Sequence, residues 1–482
     1  MSYHVESIEL FVRETKPGRI AFKLGAAALA ERRTNPLVHV RMVIRDAAGN
    51  RTWGTAGDRL SVRWLDKRPG RGRALKVREL VDLIEYSRDL YLEQTTFETP
   101  FELWQRCLPR IMATGRQRAQ EDLTSSFAAA LLERGLVDAF SRARGKPAYQ
   151  MVRDNQLGID AGSVHAELQG VDIGHLVPEH PRTSIFIRHT VGPADVLSPE
   201  HLRRGDRIGD GLPETLVENI DRYGIRFFKV KIAGNVEADL ARLEDVWRVL
   251  PKEPETTVTL DANEAYAELA SFQQLVEQLR SQLPGLFDHL AYIEQPLLRA
   301  LTLDPATGPM IRKINASKLL LIDEADGTAD AYRRAHTIGY AGTSHKNCKG
   351  FFKSLLNLAL VAHYERQGQS AFLSGEDLQN LPIVPLHQDY VTVSMLGLTH
   401  CERNGHHLNY GLSMLSARDK ASVARHHTDL YEQRGDEWFL RIRDGLVETA
   451  SLQCPGFGVV DEPDFASMEP LRPWLERRFP IE

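Results

Sequence analysis

Five residues recur at a regular interval with side chains suited to acid–base or metal chemistry: Lys231, Asp261, Glu294, Asp323 and Lys346. Neighbours in this series stand 23 to 33 residues apart. The three carboxylates are hard oxygen donors that suit Mg2+, with Mn2+ the nearest alternative, and such a site keeps water for substrate oxygens to displace. Soft metals would call for Cys or His, absent from these three positions. The lysines bracket the carboxylates. An ammonium near another cation and partly desolvated loses pKa and becomes a usable base. A proton α to a carboxylate is very weakly acidic, and positive charge on the carboxylate oxygens stabilises the enediolate left by its removal. Two bases on opposite sides would allow removal on one face and delivery on the other.

These residues need elements that bring them together. Short apolar runs alternate with amphipathic stretches after residue 181. The strand candidates are 183–189, 227–232, 256–263, 289–296, 318–325, 342–346, 371–376 and 396–402. Between them, Asn235 is an N-cap candidate for a helix with Leu240, Leu243 and Val246 on one face, and Phe351, Leu355, Leu358 and Ala362 repeat the pattern. Eight such units predict an α/β fold, a (β/α)8 TIM-type barrel over 183–443, whose strand ends share one mouth where active sites are built. The competing architecture is an open doubly wound sheet, but no GxGxxG follows an early strand, so a dinucleotide fold has no support.

Residues 1–150 read as an α+β capping domain. A period-two strand IELFVRE precedes a hairpin about the turn Asp46–Asn50, and the helical pattern runs from Lys76 to about Arg144. The stretch from 76 to 120 reads as material added to the cap, and Asp66–Arg73 as a solvated basic turn. A linker covers 151–182, and 444–482 reads as a turn-rich segment returning to the cap.

The motifs resemble the enolase superfamily, specifically its muconate-cycloisomerase-like (mandelate racemase/muconate lactonizing enzyme-like) branch. "PLVHVRMVIRDAAGNRTWG" is similar to the capping domain, and "FKVKIAG", "TLDAN", "YIEQPL", "LLIDEA" and "KNCKGFFKSLLNLA" to the strand-end motifs. "GLVDAFSRARGKPAYQMV" is similar to the helix entering the barrel, and "DGLVETASLQCPGFGVV" to the returning segment. The resemblance implies that Lys231 and Lys346 are the acid–base residues and that Asp261, Glu294 and Asp323 hold the metal. It implies a racemase or epimerase, or a dehydratase or cycloisomerase, acting on a small carboxylate. Residues 17–25 stand where the family closes a loop over its site, which puts Phe22 and Lys23 beside substrate or in a simple turn.

Around the five stand further candidates. Lys229 either pairs with a carboxylate or meets substrate. Asn263 and Gln295 are candidate supporting donors, Glu324 an ion-pair partner or a weak metal neighbour, Lys349 a brace for the sixth strand end, and Cys348 packing. Arg188, Glu376, Asp377, His400, Glu402 and His406 make the ends of strands one, seven and eight polar. They would suit a hydroxylated or charged acid, or plug the barrel by pairing with each other. His406 and His407 with Glu402 raise a second metal, which the splay of adjacent side chains disfavours.

Composition bounds the rest. The 482 residues hold two or three domains' worth of chain with 42% hydrophobic and 26% charged residues, ordinary globular values. Sixty basic against 65 acidic residues give a net charge of -5, with no global field for nucleic acid. The four cysteines form no CxxC, which fits a reducing compartment. With no leader-like start and no apolar run of about 20 residues, the expectation is a cytoplasmic protein without membrane contact. A homo-oligomer is left open.

Overall fold

The computed structural model describes residues 2–16, 18–20, 36–202 and 205–480. Three antiparallel strands open the chain: β1 (Tyr3–Arg13), β2 (Leu37–Asp46) and β3 (Arg51–Arg59). The β2–β3 turn forms at the expected residues. Asp46 Oδ1 accepts from the backbone N–H groups of Ala48 and Asn50, both at 2.9 Å, and Gly49 supplies the left-handed φ of 89°. Four helices follow: α1 (Val62–Leu65), α2 (Arg73–Leu92), α3 (Pro100–Gln117) and α4 (Asp122–Ala143). Helix α4 is buried on nearly every side from Leu123 to Ser141 because the sheet, α2 and α3 all pack on it. It lies so close to β3 that a Cβ on Gly54 would stand 2.3 Å from the Ala139 nitrogen.

The barrel strands are β4 (Ser184–Val191), β5 (Phe227–Lys231), β6 (Thr257–Asp261), β7 (Leu290–Glu294), β8 (Leu319–Ile322), β9 (Gly342–His345), β10 (Phe372–Gly375) and β11 (His400–Glu402). All pair in parallel in chain order, and β11 pairs back onto β4, so the sheet closes. This is a TIM barrel with a capping domain, not an open sheet. Helices alternate with the strands. In Val236–Val249, Asn235 caps the start by accepting from the Ala238 N–H at 3.0 Å, and Leu240, Leu243 and Val246 are buried.

Several strands stop earlier than the apolar runs predict. Asn263 (φ 43°), Glu264 (φ 71°) and Gln295 (φ 36°) are left-handed, which turns the chain out of β6 and β7 just past their carboxylates. The eighth run starts late because Val384–Met395 is helical and Gly397 (φ 74°) ends it.

A hairpin of β12 (Tyr431–Arg434) and β13 (Glu437–Leu440) precedes β14 (Leu446–Glu448). β14 pairs antiparallel with the first half of β4, so this part of the tail joins the barrel. The return to the cap comes later. β15 (Glu469–Pro470) pairs with β1, and the helix Leu471–Arg478 buries Trp474, whose indole N–H donates to Glu14 at 2.6 Å. The 76–120 region is integral to the cap, with Leu80, Leu83, Phe101 and Trp104 in the core.

Candidate active site

Strand register builds the site. Lys231 is the cross-strand partner of Asp261, and Asp261 of Glu294, so the three stand at one level at the strand ends. Asp323 follows the last residue of β8, and Lys346 the last of β9. All five are buried.

The Lys231 ammonium bonds Oδ2 of Asp261 and donates to Asn263 Oδ1 at 2.8 Å. The Lys346 ammonium donates to Asp323 Oδ2 at 2.5 Å. Asp323 Oδ1 also accepts from Ser344 and, at 3.3 Å, from Lys349. Burial pushes the Asp323 carboxyl up, but Lys346 and Lys349 overcome it and hold it well below the usual range. Asp261 is lowered too, with Lys229 and Lys231 outweighing burial. Burial lowers Lys346, but the Asp323 charge more than offsets this and raises it.

Glu294 differs. Burial pushes its carboxyl well up, and the neighbouring Asp261 and Glu376 push it further. Neither of its buried oxygens has a hydrogen-bond partner among the described residues, although the Lys229 ammonium stands 2.6 Å from Oε2.

Lys229 sits deeper. Its ammonium stands 3.0 Å from Asp261, 2.6 Å from Glu376 and 2.9 Å from Glu402 as well. Burial lowers it and the four carboxylates raise it far more. Beside it, Arg188 bonds Glu376, donates to the Gly375 carbonyl at 2.8 Å and meets His400 Nδ1 at 2.7 Å. Arg188, Glu376 and Glu402 therefore spend their charges on one another and on Lys229, as a plug inside the barrel. Burial and the Arg188 charge push His400 down to about 3. Asp377 is raised to about 7 by burial, despite Arg403 at 3.7 Å.

Neighbouring groups brace the strand ends. Gln295 Oε1 accepts from the N–H groups of Asp323 and Ala325, while its amide donates to Leu297 and Thr302. Asn263 Nδ2 reaches Glu324 at 3.0 Å. Lys349 also donates to Ser344 at 2.7 Å. Cys348 is buried and its thiol is pushed well up by burial. His406 and His407 pack beside His189, with ring centres 5.5 and 4.8 Å from it, outside the five-residue cluster. Residues 21–25, with Phe22 and Lys23, lie outside the described residues.

Several contributors escape sequence reading. Lys67, in the stretch read as a solvated turn, stands 2.5 Å from Glu264 Oε2 and donates to the Asn263 carbonyl at 2.8 Å. Arg299 holds the same Glu264 and reaches the Trp64 and Leu65 carbonyls, both at 3.2 Å. The left-handed pair Asn263–Glu264 is thus pinned from both sides. The only available signal was the position of Arg299 just after the E-Q-P turn.

Among the described residues, no group of three or more His, Cys, Asp or Glu is arranged to hold a metal ion. Lysine ammoniums stand against the oxygens instead. The donor chemistry nonetheless fits a hard dication: every candidate ligand is a carboxylate, and Glu294 has two buried oxygens with no hydrogen bond to give up.

No protein-family model and no curated protein matches the sequence. Solved structures match in fold. An enolase from Bradyrhizobium complexed with magnesium and mandelic acid has a TM-score of 0.59 at 14% identity over 97% of this chain and 98% of that one. The chain shares the fold of this enolase. Muconate lactonizing enzyme from Pseudomonas fluorescens, complexed with muconolactone, shares it with a TM-score of 0.59 and 16% identity over 96% and 98% of the two chains. Dipeptide epimerase from Enterococcus faecalis, with Mg and L-Leu-L-Tyr, does so with a TM-score of 0.56 and 12% identity over 95% and 100%. Other structures that match in fold are a mandelate racemase/muconate lactonizing enzyme from Bordetella bronchiseptica and a 2-chloromuconate cycloisomerase from Rhodococcus opacus. No described helix is long and apolar enough to cross a membrane.

Proposed function

We propose that the protein abstracts a proton α to the carboxylate of a small polar acid and returns it as a racemase or epimerase. The observation that carries this is the placement of Lys231 and Lys346 on β5 and β9, four strands apart in a closed ring of eight, each against a carboxylate. Side chains so placed approach a bound acid from opposite faces. Asp261, Glu294 and Asp323 would hold Mg2+, or Mn2+, which when bound supplies positive charge to the substrate carboxylate as the α-proton leaves. Whichever of Lys231 and Lys346 is the neutral amine would take that proton at Nζ, and the other, as its ammonium, would deliver one to the opposite face. Asn263 orients Lys231 through its Oδ1, while Ser344 and Lys349 orient the carboxylate that holds Lys346. The magnesium in the Bradyrhizobium and Enterococcus structures supports the same ion here.

A polar substrate is favoured by groups left over beside the strand ends. Oδ2 of Asp377 and Oε2 of Glu324 are buried and without hydrogen-bond partners among the described residues.

The same pair of lysines serves a dehydratase or cycloisomerase, one as base and the other as acid for the leaving group. The lactonizing enzyme among the neighbours supports that second reading. A non-catalytic carboxylate-binding barrel is the remaining alternative. Incubating a panel of 2-hydroxy, 2-amino and dipeptide acids in D2O with Mg2+, read by mass spectrometry, tests all three. Exchange at the α-carbon supports the half-reaction, product identity separates isomerisation from elimination, and binding without exchange leaves only the third.

A further inference from the structure

The cap reaches one of the two lysines directly. Trp64, on α1, places its ring centre 4.2 Å from the Lys346 ammonium. Both side chains are buried, at 6% and 4% exposure, so the contact is desolvated and the ring face attracts the cation strongly. The turn that carries Trp64 is bolted to the barrel. Arg299 donates to the carbonyls of Trp64 and Leu65 and is itself held by Glu264 and, at 3.1 Å, by Glu121. Lys67, three residues on, bonds Glu264 and the Asn263 carbonyl. On its other side the turn rests on α4, where the Thr124 hydroxyl reaches the Leu65 carbonyl at 3.5 Å. The backbone that carries the ring therefore cannot move away from Lys346 without breaking a chain of charged contacts.

We propose that Trp64 is a positioning residue for Lys346: its ring face holds the ammonium on the Asp323 side and closes it from water, so the cap completes one of the two proton-transfer positions. The functional part of this inference rests on the reading of Lys346 as an acid–base residue. The contact itself does not.

The test uses the full-length protein with Trp64→Leu, which removes the ring face, and Trp64→Phe, which keeps one. Trace acetylation by acetic anhydride, read by mass spectrometry, compares Lys346 with Lys353, a second buried lysine 3.1 Å from Asp326. Taking the ratio cancels any general loosening of the fold. The Lys346/Lys353 ratio should rise about thirtyfold in Trp64→Leu, the worth of one desolvated cation–π contact, and return toward the wild-type value in Trp64→Phe. An unchanged ratio in Trp64→Leu overturns the contact.

The second arm measures α-proton exchange with Mg2+ on the acids that the wild type exchanges. Trp64→Leu should lower the maximal rate, and Trp64→Phe should restore it. An unchanged rate in Trp64→Leu overturns the positioning role. A wild type that exchanges no acid overturns the proposed reaction, while the acetylation ratio still decides the contact.

Discussion

Lys231 and Asp261 are cross-strand partners on β5 and β6, and the ammonium of the first is bonded to Oδ2 of the second. Lys346 and Asp323, each one residue past the end of its strand, form a matching ion pair at 2.5 Å without being register partners. Each lysine is therefore held by a carboxylate that is also a candidate metal ligand.

Replacing either lysine by arginine keeps the charge but removes a usable base. Exchange of the α-proton from that face should fall by about 10²- to 10⁴-fold. In an epimerase, each variant should still wash deuterium into one stereoisomer while interconversion stops, as followed by NMR. Wild-type rates in both variants, with folding intact, would make the lysines structural.

Glu294→Gln should weaken Mg2+ and Mn2+ binding, measured by calorimetry, and abolish turnover, because it alters the one of the three candidate ligands with no hydrogen bonds to its carboxylate oxygens. Turnover that persists in excess EDTA would contradict a metal role for Asp261, Glu294 and Asp323 together.

Lys229 stands among four buried carboxylates, so Lys229→Met should leave Glu294 and Glu402 without an ion-pair partner, while Asp261 keeps Lys231 and Glu376 keeps Arg188. The expected loss is about 3–5 kcal/mol, read from urea unfolding. A variant as stable as the wild type would show that the carboxylates are neutralised by other means.

His39 is buried, with Nδ1 3.3 Å from the Leu37 carbonyl, and burial together with the Arg13 charge pushes its pKa down to about 3. The unfolded ring titrates near 6.5, so between these values the unfolded chain binds the extra proton. Stability is full above about pH 6.5 and is lost as pH falls toward 3, by about 2 kcal/mol at pH 5. Thermal melts across that window should show a shallower decline in His39→Gln than in the wild type. Parallel curves would place the proton uptake elsewhere, with His189 and His427, each lowered to about 4 by burial, next to test.

Truncation after residue 468 removes β15 and Trp474 from the cap sheet. It should lower the melting temperature and expose apolar surface to a hydrophobic dye. A truncated chain that melts with the full-length protein would mean that β1 is stable without that partner.

The alternation of apolar runs and helical faces determined the closed barrel, because a strand buried on both faces must be apolar and a charge at its end marks where burial stops. Lys231, Asp261 and Glu294 were legible for that reason: each ends an apolar run, and parallel register puts such ends at one level. Asn235 and the Asp46–Asn50 turn were legible because a cap and a tight turn are made by adjacent residues. Other features depend on groups distant in sequence. Arg188 and Glu376, 188 residues apart, find each other only when β4 and β10 share a barrel interior, and that pairing turns a polar mouth into an internal plug. Lys67 and Arg299 meet on Glu264 across 232 residues of chain, so no local pattern distinguishes them from a solvated turn and a surface arginine. The contact of Trp64 with Lys346 is decided in the same way, by the docking of the cap on the barrel, since long-range charge and packing act through space and leave no period in the sequence.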